Sequence, residues 1–198
     1  DLFSKKINNN QKKRICIGTV KALEEKYGIN YLIEAFSKVK LQEMDTELII
    51  IGTGSLLDKL IELAENLGIN NSITFIGSVS NTDVVKYLHK IDIFVVPSIS
   101  ESESFGVAAV EASACSIPIV ASNIGGLPEV VLDGETGILF PPCNIDVLVD
   151  KLLLLIRSPK LRIELGNNGR RYIESRYTLD RCSMEIEKVY KHVINAHN

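Results

Sequence analysis

The sequence predicts an α/β fold built on a doubly wound parallel sheet, with helices at its C-terminal end. Three observations carry this prediction: short apolar runs recur along the chain, segments of helical period separate them, and loops rich in Gly, Ser and Asn follow them. The chain has 198 residues, 45% of them hydrophobic and 24% charged, which is the composition of a globular domain with a sizeable core.

Five apolar runs are predicted to form strands, at residues 15–17, 47–51, 73–76, 91–96 and 117–121, and the loop after the first strand is expected to begin at Thr19. Helical periodicity separates them at residues 31–39, 56–67, 82–89 and 106–115, and the chain from residue 146 onward is predicted to be helical to its end. Right-handed crossovers place the carboxyl ends of all the strands on one edge of the sheet. Ligands bind at that edge in such folds, so the polar loops there are the first place to look for a site.

The composition excludes several classes of function. Lys and Arg number 22 against 25 Asp and Glu, a net charge of −3, so no broad basic surface exists for nucleic acid or anionic membranes. The four cysteines, at positions 16, 115, 143 and 182, form no C-x-x-C pair, which favours free buried thiols in a reducing cytoplasm. The histidines are scattered and no Asp-x-Asp occurs, so we expect no metal site. Residues 1–13 are polar and lack the apolar segment of a signal peptide, and we interpret them as a leader or linker at the start of a fragment.

Two glutamates flank a predicted helix start. Glu103 lies in the loop after the fourth strand, and Glu111 lies eight positions on, inside the helix that begins near Gly106. Free N–H groups at a helix N-terminus suit a diphosphate, and carboxylates can accept hydrogen bonds from the hydroxyls of a hexose or a ribose. Taken alone, the pair is better explained as a solvated loop residue and an exposed helical carboxylate. The small residues around Glu111 favour a binding site.

Further segments make a resemblance specific. The Glu103-x7-Glu111 pattern is followed by Pro118-Ile-Val-Ala-Ser and Gly125-Gly126-Leu-Pro-Glu129. Supporting segments occur in the expected order: Ile49-Ile-Ile-Gly-Thr-Gly54, Ile73-Thr-Phe-Ile-Gly77, Phe94-Val-Val-Pro-Ser98 and Asp133-Gly-Glu-Thr-Gly-Ile-Leu-Phe-Pro-Pro142. Over residues 14–194 the chain resembles the C-terminal domain of family-4 retaining glycosyltransferases. The resemblance implies the Rossmann-like second half of a GT-B fold.

The resemblance also implies a site for a UDP- or GDP-sugar as donor substrate, with no further cofactor. Glu103 would contact the donor hexose near the reacting centre, and Glu111 would accept from the ribose hydroxyls. The diphosphate or sugar of the donor is further expected to contact Ser104, Phe105, Gly106 and Val107. The base is expected to contact Phe75, Ile76 and Gly77.

The family places an Arg directly after the Gly of the first strand and a Lys a few residues later. Here Thr19 follows Gly18, Lys26 takes the Lys position, and Lys21 can supply the second charge. The resemblance therefore implies that two ammonium groups neutralise the departing diphosphate, as point charges and not as a bidentate fork. Ser116 is a smaller departure, since the family usually has Gly there.

A GT-B enzyme has two such domains with the active site between them, and this chain resembles only the second. The expected organisation is a leader at residues 1–13, a nucleotide-sugar-binding domain at residues 14–177, and a helix at residues 178–198 that crosses to the missing N-terminal acceptor domain. The isolated domain is expected to bind donor without turnover. The full enzyme is expected to be cytoplasmic, with any peripheral membrane association at the inner face made through the other domain. It would transfer a hexose to an acceptor hydroxyl with retention, in glycan or polysaccharide biosynthesis.

Other functions remain open at this point. Half of a sugar-nucleotide epimerase or of a phosphorylase would have the same fold, although the predicted edge carries no histidine for epimerase chemistry. A non-catalytic sugar-nucleotide-binding module is also compatible, and Thr19 mildly favours it while Glu103 and Glu111 oppose it.

Overall fold

The computed structural model describes Phe3 and residues 14–196, without the side chains of residues 179, 180, 182, 185, 192, 195 and 196. The predicted leader, Phe3 apart, lies outside the described residues, as do the side chains of Cys182, His192 and His197.

Parallel strands form one six-stranded sheet, in the order β3-β2-β1-β4-β5-β6. The strands are β1 (Ile15–Val20), β2 (Thr46–Ile51), β3 (Ile73–Gly77), β4 (Ile93–Val96), β5 (Ile119–Ser122) and β6 (Gly137–Phe140). The order runs outward from β1 in one direction and from β4 in the other, which confirms the predicted doubly wound sheet.

Eight helices connect and extend the strands within the described part of the chain. They are α1 (Ile29–Gln42), α2 (Leu57–Asn66), α3 (Asn81–Leu88), α4 (Val107–Ala114), α5 (Leu127–Val130), α6 (Ile145–Arg157), α7 (Pro159–Arg176) and α8 (Leu179–Ala196). Apolar side chains of α1, α2 and α6 pack on one face of the sheet, and those of α3, α4 and α5 pack on the other. Helix α7 contributes to both cores, Leu165 to the first and Ile173 to the second. The predicted C-terminal helices are confirmed, with interruptions at Ser158 and at residues 177–178.

Alternation along each strand builds two cores, one on each face. In β1, Ile17 contributes to the core under α1, while its neighbour Cys16 contributes to the core under α4. The same division separates Ile50 from Ile49 in β2. Because both faces are covered, the strands are apolar at nearly every position, which is why they were recognisable as continuous runs.

The sixth strand was not predicted. It is only four residues long, begins with Gly137 and follows a turn. A Cβ atom at Gly137 would lie 2.7 Å from the carbonyl oxygen of Ile119 in β5, so the strand pairs closely only because this residue has no side chain. Periodicity could not show this, because four residues with an initial Gly give too short an apolar pattern.

Two further details depend on backbone conformation. Ser116, where the resemblance expects Gly, has a φ of 59° in the left-handed region, which explains the preference for Gly at the end of α4. Thr19, expected in the loop after the first strand, lies inside β1 opposite Ile50 and is 1% exposed. The strand therefore extends through the position that the family resemblance assigned to a cation.

Candidate active site

The candidate site lies where the winding of the sheet reverses, between β1 and β4. The loop after β1 and the loop after β4 touch there, since Ile99 N–H donates to the Lys26 carbonyl at 3.0 Å. Gly28 adopts a φ of 61°, and a Cβ atom on it would lie 2.2 Å from the Pro97 carbonyl oxygen. The crevice between oppositely wound halves is the usual ligand site of such sheets.

Glu103 is buried in this crevice with two donors. Its carboxylate atom Oε2 accepts a hydrogen bond from Ser98 Oγ at 2.6 Å and lies 2.7 Å from Lys21 Nζ. Only 7% of Glu103 is exposed, so it is not a solvated loop residue. Its backbone is held as well, because Glu103 N–H donates to the Ser100 carbonyl and the Glu103 carbonyl accepts from Gly126 N–H. A buried carboxylate with a cationic partner and a hydroxyl donor is a fixed acceptor.

The two predicted cations share one aromatic ring. Lys21 Nζ lies 4.5 Å from the centroid of the Tyr27 ring, and Lys26 Nζ lies 5.0 Å from it. The side chain of Lys21 is largely buried, whereas Lys26 is exposed. A short 3-10 turn over Glu25–Tyr27 brings the ring beside both ammonium groups. Positive charge is therefore concentrated beside Glu103.

Helix α4 opens onto the same crevice. Gly106 precedes it with a φ of 73°, and its carbonyl accepts from the N–H groups of Ala109 and Val110. Within the described residues, the N–H groups of Val107 and Ala108 have no acceptor, and Val107 is 61% exposed. The helix start thus offers free donors to an anion.

Aromatic residues support the loop in front of α4. Phe105 packs edge-on against Tyr177, with ring centroids 5.1 Å apart, and Ser104 is exposed. The hydroxyls of Tyr172 and Tyr177 both donate to the Glu129 carbonyl. The predicted site residues Ser104, Phe105, Gly106 and Val107 are therefore contiguous with Glu103 at the mouth of the crevice.

The glycine pair after β5 packs against the Glu103 loop. A Cβ atom at Gly125 would lie 2.2 Å from the Glu103 carbonyl oxygen, and one at Gly126 would lie 1.9 Å from that of Ser104. Glu101 adds a hydrogen bond, since its Oε2 accepts from Gly125 N–H at 3.2 Å. The lack of side chains at these two glycines therefore allows a close approach to the protein's own loop.

Glu111 lies on α4 and is half-buried, and its carboxylate makes no hydrogen bond or ion pair with the described residues. Burial raises the pKa of its carboxyl. Ala109, Ala112 and Ser113 are buried beside it, as expected of a helix packed tightly on a sheet. An unpaired, partly desolvated carboxylate is poised to accept from a ligand's hydroxyls.

The end of β3 lies farther along the same edge. Phe75, Ile76 and Gly77 are half-buried, and the Gly77 carbonyl accepts from Gly52 N–H at 2.9 Å. Three strand spacings separate β3 from β4 in the sheet, about 14 Å at roughly 4.8 Å each. A cavity of about 370 Å³ adjoins this strand end, lined by Ser78, Val79, Ser80, Asp83, Lys86, Tyr87 and Lys90.

Sequence reasoning missed two contributors to the site. Ser98 gave no signal, because a serine after a strand is ordinary and its contact with Glu103 depends on how the loop folds. Tyr27 was assigned no role. The cavity lining was missed too, since it joins a loop to one face of α3.

The cysteines whose side chains the structure describes do not all match the prediction of buried free thiols. Cys16 and Cys115 are buried free thiols as predicted, but Cys143 is exposed, so that prediction is wrong for this residue. It lies in the turn before α6 with a φ of 62°, which holds it at the surface.

None of the helices in the described ranges combines the length and apolar character needed to cross a membrane.

Comparison with known proteins identifies the family. The family model described as glycosyl transferases group 1 matches residues 2–172. An uncharacterized glycosyltransferase of Methanocaldococcus jannaschii is 36% identical over 167 residues, which are 83% of this chain and 44% of that protein. The chain thus spans less than half the length of this relative.

Solved structures agree in fold. The C-terminal domain of a glycosyl transferase group 1 family protein (LpcC) from Francisella tularensis has a TM-score of 0.81 and 27% identity, covering 90% of this chain and 97% of that one. Anabaena HepE, solved in complex with UDP and glucose, has a TM-score of 0.84 at 22% identity, covering 90% of this chain and 48% of HepE, and it supports the fold alone. The chain therefore belongs to the glycosyl transferases of group 1, and its fold is that of a GT-B C-terminal domain.

Proposed function

We propose that this chain is the donor-binding domain of a retaining glycosyltransferase that uses a nucleoside-diphosphate hexose. The observation that carries the proposal is the Lys21–Glu103 pair, which lies at the reversal point of the sheet in front of the open N-terminus of α4. That arrangement offers an anion site and a fixed acceptor side by side. Membership of the group 1 glycosyl transferases supports a nucleotide sugar as the ligand class.

The diphosphate would bind at the start of α4. The N–H groups of Val107 and Ala108 supply donors, and Lys26 and Lys21 supply positive charge. When the sugar leaves, the diphosphate gains negative charge, and preorganised cations and helix-end donors stabilise that state more than the bound substrate. Lys21 would then interact with two anions, Glu103 on one side and the diphosphate on the other.

Each of the two glutamates would bind a different sugar unit of the donor, the hexose or the ribose. Glu103 would accept from a hydroxyl of the donor hexose near the reacting carbon, and Glu111 from the ribose hydroxyls. The base would lie at Phe75, Ile76 and Gly77, beside the 370 Å³ cavity. An extended nucleoside diphosphate sugar is of the right length to bridge the interval between β3 and β4.

Acceptor binding would require a second domain. Helix α8 supports this, because six apolar side chains on it are at least 49% exposed, namely Met184, Ile186, Val189, Tyr190, Val193 and Ile194. Five of them, from Ile186 to Ile194, lie on one face of the helix, and such a face is suited to packing against further protein. We propose that residues 178–198 cross to an N-terminal acceptor domain, and that residues 14–177 form the nucleotide-sugar-binding domain.

The cellular setting is proposed from the thiols. The described cysteines are free, and two of them are buried, which is typical of a reducing cytoplasm. The full enzyme would transfer a hexose to an acceptor hydroxyl in glycan or polysaccharide biosynthesis, with any contact to the inner face of the membrane made by the other domain.

Thr19 gives no support to a non-catalytic module. It is buried inside β1, opposite Ile50 of β2. Lys21, two residues later, already brings a cation to Glu103.

Isothermal titration of the 198-residue chain tests the proposal. We expect binding of UDP or GDP and of the matching sugar, tested with UDP-glucose, UDP-N-acetylglucosamine and GDP-mannose. Glu111→Ala should weaken both the nucleotide and the sugar nucleotide, whereas Glu103→Ala should weaken only the sugar nucleotide. Absence of binding for all five compounds would overturn the donor site.

Retention is tested separately, on the chain joined to its N-terminal domain. Proton NMR of the product should show the anomeric configuration of the donor, and an inverted product would refute this part of the proposal. The isolated chain should show no transfer.

A further inference from the structure

Among the described residues, the contacts to the Glu103 carboxylate all fall on one of its two oxygens. Ser98 Oγ at 2.6 Å and Lys21 Nζ at 2.7 Å both contact Oε2. Oε1 accepts no hydrogen bond from the described residues. Oε1 is also not completely buried. Among the described residues, the polar side-chain atoms that are both buried and without a hydrogen-bond partner are Ser116 Oγ and Ser122 Oγ, and Oε1 is not one of them. The carboxylate therefore presents one free acceptor in a fixed orientation.

The two donors to Oε2 differ in what else they can bind. Lys21 is a flexible cation that also contacts the Tyr27 ring, and a diphosphate would compete for it. Ser98 is fully buried, follows Pro97 directly at the end of β4, and is neutral. A hydroxyl bound to a buried carboxylate makes a short, charge-assisted hydrogen bond. Because the hydroxyl is neutral, an incoming anion does not draw it away from the carboxylate as it would draw a cation.

We infer that Ser98 is a positioning residue, which holds Oε2 of Glu103 so that Oε1 stays directed at the donor hexose while Lys21 turns to the diphosphate. The inference rests on the proposed role of Glu103 and extends it to a residue that does not touch the substrate. Without Ser98 the carboxylate would rotate about its terminal bonds, which have broad torsional preferences, and would follow Lys21.

The chain offers a matched control. Ser122 ends β5, the strand next to β4, and is fully buried like Ser98. Its hydroxyl has no hydrogen-bond partner within the described residues. Ser122→Ala therefore removes an equivalent buried hydroxyl at a neighbouring strand end without touching Glu103.

The experiment compares two ligands by titration calorimetry: the nucleotide sugar that wild type binds most tightly among UDP-glucose, UDP-N-acetylglucosamine and GDP-mannose, and its plain nucleoside diphosphate. Ser98→Ala should weaken the nucleotide sugar about tenfold, the effect of a lost hydrogen bond to a charged group, and leave the diphosphate unchanged. Ser98→Thr, which keeps the hydroxyl, should restore most of the loss, and Ser122→Ala should change neither affinity. In a Glu103→Ala background, Ser98→Ala should have no further effect, because the group that it positions is gone.

Three results would overturn the inference: equal losses for both ligands, a loss that persists in the Glu103→Ala background, or unchanged nucleotide-sugar affinity in Ser98→Ala when Glu103→Ala does weaken it. If Glu103→Ala itself leaves nucleotide-sugar affinity unchanged, the proposed hexose contact fails, and the role of Ser98 fails with it. The single variants thus separate the two failures.

Discussion

Lys21 Nζ lies 2.7 Å from Oε2 of Glu103, and the pair joins the loops that follow β1 and β4, the two strands at which the sheet reverses its winding. Both side chains are largely withdrawn from solvent, 14% and 7% exposed. The pair therefore links the two halves of the sheet at the point where the donor is proposed to bind.

Removing the cation should destabilise the protein. Lys21→Met leaves the buried Glu103 charge with Ser98 alone, and we expect unfolding free energy to fall by about 2 kcal/mol in urea titrations. Lys21→Met with Glu103→Gln should recover most of that loss, because no unpaired charge remains. The exposed pair of Lys38 and Asp146, also 2.7 Å apart, is the control, and Lys38→Met should change stability by less than about 0.5 kcal/mol. Equal effects of the two lysine variants would contradict the buried role of Lys21.

Glu111 should reduce stability while it supports binding. Burial raises the pKa of its carboxyl in the folded protein, so its contribution to stability is present below the unfolded pKa and is lost as pH rises through the higher folded value. At neutral pH, Glu111→Gln should therefore raise the melting temperature and weaken nucleotide binding. Scanning calorimetry at pH 4 and pH 7 checks the first effect, which should shrink at pH 4.

Nucleotide affinity should also depend on the Glu111 carboxylate. As pH falls through the raised pKa, Glu111 becomes protonated and loses acceptor capacity, so wild-type affinity for UDP or GDP should weaken before ordinary glutamates titrate. In Glu111→Gln, titrations over the same pH range should not show this loss of affinity. An identical pH profile in the two proteins would rule out Glu111 as the group responsible.

The Tyr27 ring should organise the two lysines. Tyr27→Leu removes the π-face that Lys21 and Lys26 share, and we expect nucleoside-diphosphate affinity to fall about threefold, the value of a weak cation–π contact. Tyr27→Phe keeps the ring and is the matched control, with no expected loss. Equal losses in the two variants, measured by calorimetry, would assign the effect to the hydroxyl instead.

The turn at Gly126 should tolerate no side chain. Its φ of −82° suits any residue, so the expected damage is steric, from a Cβ atom 1.9 Å from the Ser104 carbonyl oxygen. Gly126→Ala should displace the Glu103 loop, with a loss of about 2 kcal/mol in stability and a clear loss of nucleotide-sugar affinity. Gly68, with a φ of 69° and open space around it, is the comparison: Gly68→Ala should cost about 1 kcal/mol from backbone strain and leave binding intact. Intact binding in Gly126→Ala would show that this contact does not set the loop.

Much of the fold was predictable because its signals are local. Strands covered on both faces are continuously apolar, and helices that cover them repeat with helical period, so five of the strands and the crossing helices could be assigned from residue order. The short β6 was not predicted, because its pairing with β5 depends on the close approach of a single residue, Gly137, to Ile119. Thr19 was assigned to a loop because nothing in the sequence shows that β1 continues to Val20, opposite Ile51 in the neighbouring strand.

By itself, the sequence determined the fold class and the family, and it predicted roles for Glu103 and Glu111, because periodicity and ordered segments are properties of the chain read in order. Only the tertiary structure decided what those residues touch. Ser98, Lys21 and Glu103 meet because β1 and β4, which are 73 residues or more apart along the chain, are neighbours in the sheet. Contacts of that kind depend on the packing of the whole sheet, and no local pattern of residues encodes them.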